Sequence, residues 1–209
     1  MHIAERLDWI AELPRDIRSE FRARMTSAQF SAGEIITQSG TPAMCIHQVQ
    51  SGYVKILKDL PSGDQVLLAL YIPGNVFSES AVIVGREHHH TTIAATNVTL
   101  NLLKKPDFDA LYHTYREVPE NLCRKLAHSM SLFLENREFT SLHDIRTQVA
   151  LLFCNLADRC ADQGRDDSHN SSDSHGHGIQ IDVPLTVTDI ADFLGVSRQT
   201  VQKEISILK

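Results

Sequence analysis

Gly33, Gly40, Gly52, Gly63 and Gly74 cut the stretch from Ser31 to Leu111 into short apolar runs, at intervals of seven to twelve residues. Glycine reaches positive φ at no steric cost, so it marks turns. The runs between them are Glu34–Thr37, Cys45–Val49, Tyr53–Leu57, Val66–Ile72 and Thr91–Ala95. Short strands with regular turn signals predict an antiparallel sandwich or small barrel. With 209 residues, 42% hydrophobic and 22% charged, the chain can bury a core around such a sheet. That excludes wholesale disorder and very small disulfide scaffolds.

Helical spacing flanks the strands. Ile10, Leu13, Ile17 and Phe21 recur at three- and four-residue steps, so residues 1–30 read as short helices. Lys105-Pro106-Asp107 is a fresh helix start, and Pro119 can open another at its first turn. From Pro119 to Leu142, Cys123, Leu126, Met130, Phe133, Arg137 and Thr140 form a narrow stripe. It is either a coiled-coil dimer seam or a helix lying on its own domain. Ile145 to Cys160 is amphipathic, with Val149, Leu152, Phe153 and Leu156 on one side. Asp162 to Gly178 has no apolar residue and reads as a mobile loop; its His169, His175 and His177 are metal-like in composition, or simply a solubilising linker.

The longest apolar run, Val66 to Ile72, falls far short of the ~18 residues needed to span a bilayer. The first residues lack a secretory pattern, which predicts a cytoplasmic protein with no membrane partner. Cys45, Cys123, Cys154 and Cys160 show no C-x-x-C spacing, so reduced thiols are expected. The net charge of −6 argues against indiscriminate nucleic-acid binding but leaves room for a local basic patch.

Such a patch lies at the C-terminus. Thr188 to Val201 reads as helix, tight turn, helix: Thr186 or Thr188 caps the first, Ile190 and Leu194 are buried, Gly195 permits the turn and Ser197 caps the second. Ala191 supplies the small residue that crossing helices need, and Val201, Ile205 and Leu208 continue a buried face. The opposite face carries Arg198, Gln199, Gln202 and Lys203, side chains that reach base edges and phosphates in a major groove. The bland alternative is a helical hairpin with a solvated charged face.

The run Leu194-Gly195-Val196-Ser197-Arg198-Gln199-Thr200-Val201 resembles the recognition element of the cAMP receptor protein/FNR (Crp/Fnr) superfamily of bacterial transcription regulators. Ala32-Gly33-Glu34-Ile35-Ile36, Gly40 and Ser51-Gly52-Tyr53-Val54-Lys55-Ile56 resemble the first strands of its cyclic-nucleotide-binding β-roll. Pro73-Gly74-Asn75-Val76-Phe77-Ser78-Glu79-Ser80 resembles its effector cassette. The likeness runs from about Gly33 to Leu208. It implies an α+β architecture: an antiparallel β-roll over residues 1–117, a dimerisation helix over 118–142, and a winged helix-turn-helix over 143–209. The sequence stops at Lys209, before the β-hairpin wing that follows this helix in the family. The resemblance places DNA contacts on Ser197, Arg198, Gln199, Thr200, Gln202 and Lys203, effector contacts on Phe77, Ser78, Glu79, Ser80, His88, His89 and Thr91, and dimer contacts on Leu126, Met130 and Phe133.

Departures from the family pattern bear on the effector. Ser78 stands where cAMP-binding members have glycine, Glu79 is kept, and the arginine and serine that hold the phosphate fall on His88 and His89. The clamp for a cyclic phosphodiester is therefore missing, with Arg86 two residues away, and an effector other than cAMP is expected. Iron–sulfur members carry N-terminal cysteines, whereas the first here is Cys45. Members that sense nitric oxide or carbon monoxide carry haem. His88, His89 and His90 offer imidazoles to haem iron, zinc, copper or nickel, or form an exposed turn. In the recognition helix Gln199 replaces a glutamate and Lys203 an arginine, which predicts an altered half-site.

The expected function is an effector-controlled, homodimeric regulator acting on double-stranded DNA and RNA polymerase. The alternative is a ligand- or haem-binding module without sequence-specific DNA binding. No Ser/His/Asp order, P-loop or H-E-x-x-H run points to an enzyme.

Overall fold

The computed structural model describes residues 7–166 and 181–208, which divide into two compact units, the first ending at Ser131 and the second beginning at Leu132. The first unit opens with helix α1 (Arg15–Arg24) and then alternates strands β1 (Thr26–Phe30), β2 (Ile35–Thr37), β3 (Cys45–Ser51), β4 (Val54–Asp59), β5 (Gln65–Tyr71) and β6 (Val76–Phe77). Helix α2 (Glu79–Val84), strands β7 (Thr91–Ala94) and β8 (Val98–Lys104), and helix α3 (Lys105–Thr114) follow. The strands make two four-stranded antiparallel sheets, ordered β1-β8-β3-β6 and β2-β7-β4-β5.

Each run named from the sequence is a strand to within a residue or two. Residues 26–30, expected to be helical, instead form β1, paired along its length with β8. The strands β6 and β8 and the short helix α2 had no prior signal. Period-two alternation sends residues of the first sheet into two cores. Ile46, Val76 and Leu103 pack with Trp9, Phe21 and Phe108 on the helix side, whereas Val49, Phe77 and Leu100 join Val54, Ile56 and Ala94 inside the roll. Gly52 shows why its turn needs glycine: φ is +81°, and a Cβ there would meet the Asn97 carbonyl at 2.2 Å.

Helix α4 (Glu117–Leu142) begins two residues before Pro119 and runs from the first unit into the second. Helix α5 (Ile145–Asp166) continues past Cys160, correcting the expectation that a loop begins at Asp162. His169, His175 and His177 lie outside the described residues. The α4–α5 turn is tied by Asp144, which accepts the Thr147 N–H at 2.8 Å, and by Gln148, whose amide donates to the Thr140 and His143 carbonyls at 3.1 and 2.8 Å. Those Thr147 bonds hold the Asp144 carboxyl below the usual range. Helices α6 (Val187–Leu194) and α7 (Arg198–Leu208) complete the unit. No wing strand is present among its described residues.

Candidate nucleic-acid interface and effector region

Helix α6 starts on a capping box. Thr186 Oγ1 accepts the Asp189 N–H at 3.1 Å, and the Asp189 carboxylate accepts the Thr186 N–H at 2.7 Å. Of the two candidate caps, Thr186 is therefore the one used. Gly195 closes the helix at φ 67°, in the left-handed region. Ser197 then caps α7, its Oγ accepting the Thr200 N–H at 3.2 Å and lying 2.8 Å from the Thr200 hydroxyl. The Ser197 and Thr200 hydroxyls thus hold the helix start, while Arg198, Gln199, Gln202 and Lys203 are exposed on one face.

The opposite face departs from the expected stripe. Val201 is buried and Ile205 half-buried, but Leu208 is exposed and Glu204 takes an inward position. Glu204 accepts from Arg146 Nε at 2.7 Å, fastening α7 to the first turn of α5. The ion pair pushes the Arg146 guanidinium further up. No local pattern announces this pair, because its partners stand 58 residues apart.

The residues assigned to the effector separate into two places. Phe77 and Glu79 are buried in the roll. Phe77 stacks on His47 with centroids 4.8 Å apart and tilts against Tyr71 at 5.4 Å. Glu79 is 2% exposed and accepts from Lys125 Nζ on α4. Burial, with Glu79 adding its negative charge, pushes the Tyr71 hydroxyl upward. Ser78 has a left-handed backbone, at φ 72°, the one such non-glycine residue described. A serine pays steric strain for that conformation. Ser80 is exposed, and Thr91 donates to Asp59 at 2.6 Å while accepting the Ser39 N–H. His88 and His89 instead line an open groove of about 690 Å³ with Lys58, Arg86 and Lys105.

His47 was missed by sequence reading. Burial, helped by His88, pushes its imidazole down to about 3, and its Nδ1 has no partner. The unfolded chain binds a proton at an ordinary 6.5, so stability is complete above that value and is lost as pH falls toward 3. Roughly 1.4 kcal/mol should disappear per pH unit in that window. Acid titration of urea unfolding should show this slope in the parent and a flatter one in His47→Phe, which keeps the stack on Phe77; identical slopes would refute it.

His88, His89 and His90 do not close on one point. His88 is buried, His89 is exposed, and the His89 and His90 rings meet edge to face at 6.5 Å. Among the described residues no three His, Cys, Asp or Glu side chains gather as metal ligands. The groove beside them mixes Lys58, Arg86, Glu87 and Lys105 with Pro42 and Met44 and is open, not an enclosed apolar slot for a macrocycle, so these residues do not fit haem. Leu126, Met130 and Phe133 are all exposed on α4. Among the described residues no helix is long and apolar enough to cross a membrane.

Two family models match the chain: a cyclic nucleotide-binding domain over residues 27–115 and a Crp-like helix-turn-helix domain over 147–209. A CRP-like cAMP-activated global transcriptional regulator of Mycobacterium tuberculosis is 26% identical, over 88% of this chain and 77% of that protein. The nitrogen fixation regulation protein FixK of Rhizobium meliloti is 24% identical, over 89% and 76%. The solved structure of FixK2 from Bradyrhizobium japonicum superposes with a TM-score of 0.71 at 22% identity, covering 88% of this chain and 84% of that one.

Proposed function

Because the chain belongs to the Crp/Fnr superfamily of bacterial transcription regulators, we propose that it works as a homodimer in which each α7 reads one half-site and the β-roll governs when it does so. It is a DNA-binding transcription regulator of that type, with a cyclic nucleotide-binding-like effector domain. The family is one of regulators rather than of enzymes. The observation that carries the DNA-reading assignment is the division of α7. Arg198, Gln199, Gln202 and Lys203 are exposed together, while Val201 and Glu204 hold the other face to the unit. Gln199 suits an adenine edge and Lys203 a guanine or phosphate.

The effector differs from cAMP in this reading. The relative in Mycobacterium tuberculosis is described as cAMP-activated, but here histidines stand at the phosphate-holding positions and aromatic rings fill the roll beside Glu79. A change in the roll would reach α4 through Glu79 and Lys125, and α4 is continuous with the DNA-binding unit. RNA polymerase is the downstream partner.

Mobility shift on promoter fragments tests the reading. Arg198→Ala is expected to weaken specific retardation by roughly 10- to 100-fold, the ~1–3 kcal/mol of one good base contact. Equal retardation by both proteins overturns the assigned face. Retardation of every fragment alike would favour a sensor module without sequence preference.

A further inference from the structure

The groove lined by His88 and His89 is built from two loops fixed to each other by backbone hydrogen bonds. The Gly40 N–H donates to the His88 carbonyl and the His88 N–H to the Thr41 carbonyl, both at 2.8 Å. Lys105 N–H donates to Met44 at 2.8 Å, and Pro42 bridges Glu87. Such walls preform a site, and about 690 Å³ lies within the range of small-molecule sites.

Its electrostatics oppose those of the whole chain. Lys58, Arg86 and Lys105 line it against one carboxylate, Glu87, although the protein carries a net charge of −6. Lys105 shares its charge with Asp109, at 3.0 and 2.9 Å from the two carboxylate oxygens. Arg86 forms no ion pair among the described residues, while Lys58 shares part of its charge with the neighbouring Asp59. A guanidinium outside any ion pair, beside two lysines in a concave, prebuilt site, suits a multivalent anion. Guanidinium takes phosphate oxygens in a two-pronged arrangement, and ammonium adds a point charge. Exposed Pro42 and Met44 give the same groove an apolar lip.

We propose that this groove binds a diphosphate group, held by Arg86 with Lys58 and Lys105. The site is separate from the buried Glu79 and from the DNA-reading face, so it stands or falls independently of DNA recognition.

Calorimetry on the full chain, without DNA, provides the test. Inorganic pyrophosphate and ADP serve as probes, to separate a free polyphosphate from a diphosphate carried on an organic body. Saturable binding of either, one per protomer, is expected. The double variant Arg86→Ala/Lys58→Ala should weaken it by about tenfold or more. Both side chains are exposed, so the fold should survive, which Trp9 fluorescence checks. The control Arg15→Ala/Arg22→Ala removes the same charge from exposed positions of α1 and should bind as the parent does. Absence of saturable binding by both probes, or equal weakening in the two double variants, overturns the proposal.

Discussion

Replacing Lys125 with methionine is expected to destabilise the roll by about 3–5 kcal/mol, the largest loss that any single substitution discussed for this unit should produce. Glu79 is 3% exposed at its side chain and Lys125 12%, so neither charge has water in reserve. Removing the ammonium leaves a buried carboxylate with Tyr71 and Phe77 nearby and no cation to answer it. The pair itself need not be a strong net stabiliser, because desolvating two ions offsets most of their attraction. The double variant Glu79→Gln/Lys125→Met should therefore recover most of the loss. Trp9 is the single tryptophan and is buried in the same unit, so its fluorescence during urea unfolding reports this unit alone. A Lys125→Met protein with unchanged midpoint and slope would mean that solvent already reaches Glu79. A stable double variant that no longer responds to effector would separate the role of this contact in signalling from its role in folding.

The legible parts of the fold were those encoded within a few residues. Glycine turns located five strands, and Thr186, Gly195 and Ser197 located the helix–turn–helix, because caps and positive-φ turns are local chemistry. Strand β8 escaped notice although Val98, Leu100 and Leu103 are buried in it. It runs straight into α3 with no glycine to mark its end, so its signal merged with the helix start. Strand β1 escaped for the opposite reason: it pairs with β8 alone at the sheet edge, none of its residues is buried, and its alternation rests on Ala28 and Phe30 alone, too short a run to outweigh the helical spacing before it. The polar composition from Asp162 onward suggests a loop, yet α5 extends through Gly164 to Asp166. Polar composition by itself does not stop a helix.

Within the candidate sites, the exposed face of α7 was legible and its anchor was not. The spacing Val201, Ile205, Leu208 is helical, but the buried stripe turns through Glu204 because Arg146 waits there from another helix. Pairings across the fold decide such positions, and no sequence window contains both partners. The effector cassette shows the same limit. The departure of Ser78 from the family pattern was visible, whereas its left-handed backbone was not, nor was the engagement of Glu79 by Lys125 forty-six residues later.

Substituting Met130 and Phe133 together by glutamate is expected to convert the dimer to monomer and to lower specific DNA affinity by roughly 10²–10⁴-fold. Both side chains are 65% exposed on α4, and Leu134 and Leu126 are 54% and 39% exposed beside them. A run of large apolar groups facing water along one helix is costly for a lone protomer and marks a surface awaiting a partner. In a two-fold assembly each residue meets its own copy or a near neighbour, so two new carboxylates per protomer become four mutually repelling charges. Without the partner, the second half-site must be captured from solution instead of being presented at the ~34 Å spacing of successive major grooves. Sedimentation velocity and mobility shift on the same samples decide the matter. Leu132 is buried between the two positions and is left untouched, so that loss of folding does not imitate loss of association. A variant that still sediments as a dimer and binds its site with parental affinity would place the two-fold elsewhere. A variant that becomes monomeric yet keeps its affinity would remove the need for paired half-sites from the proposed mechanism.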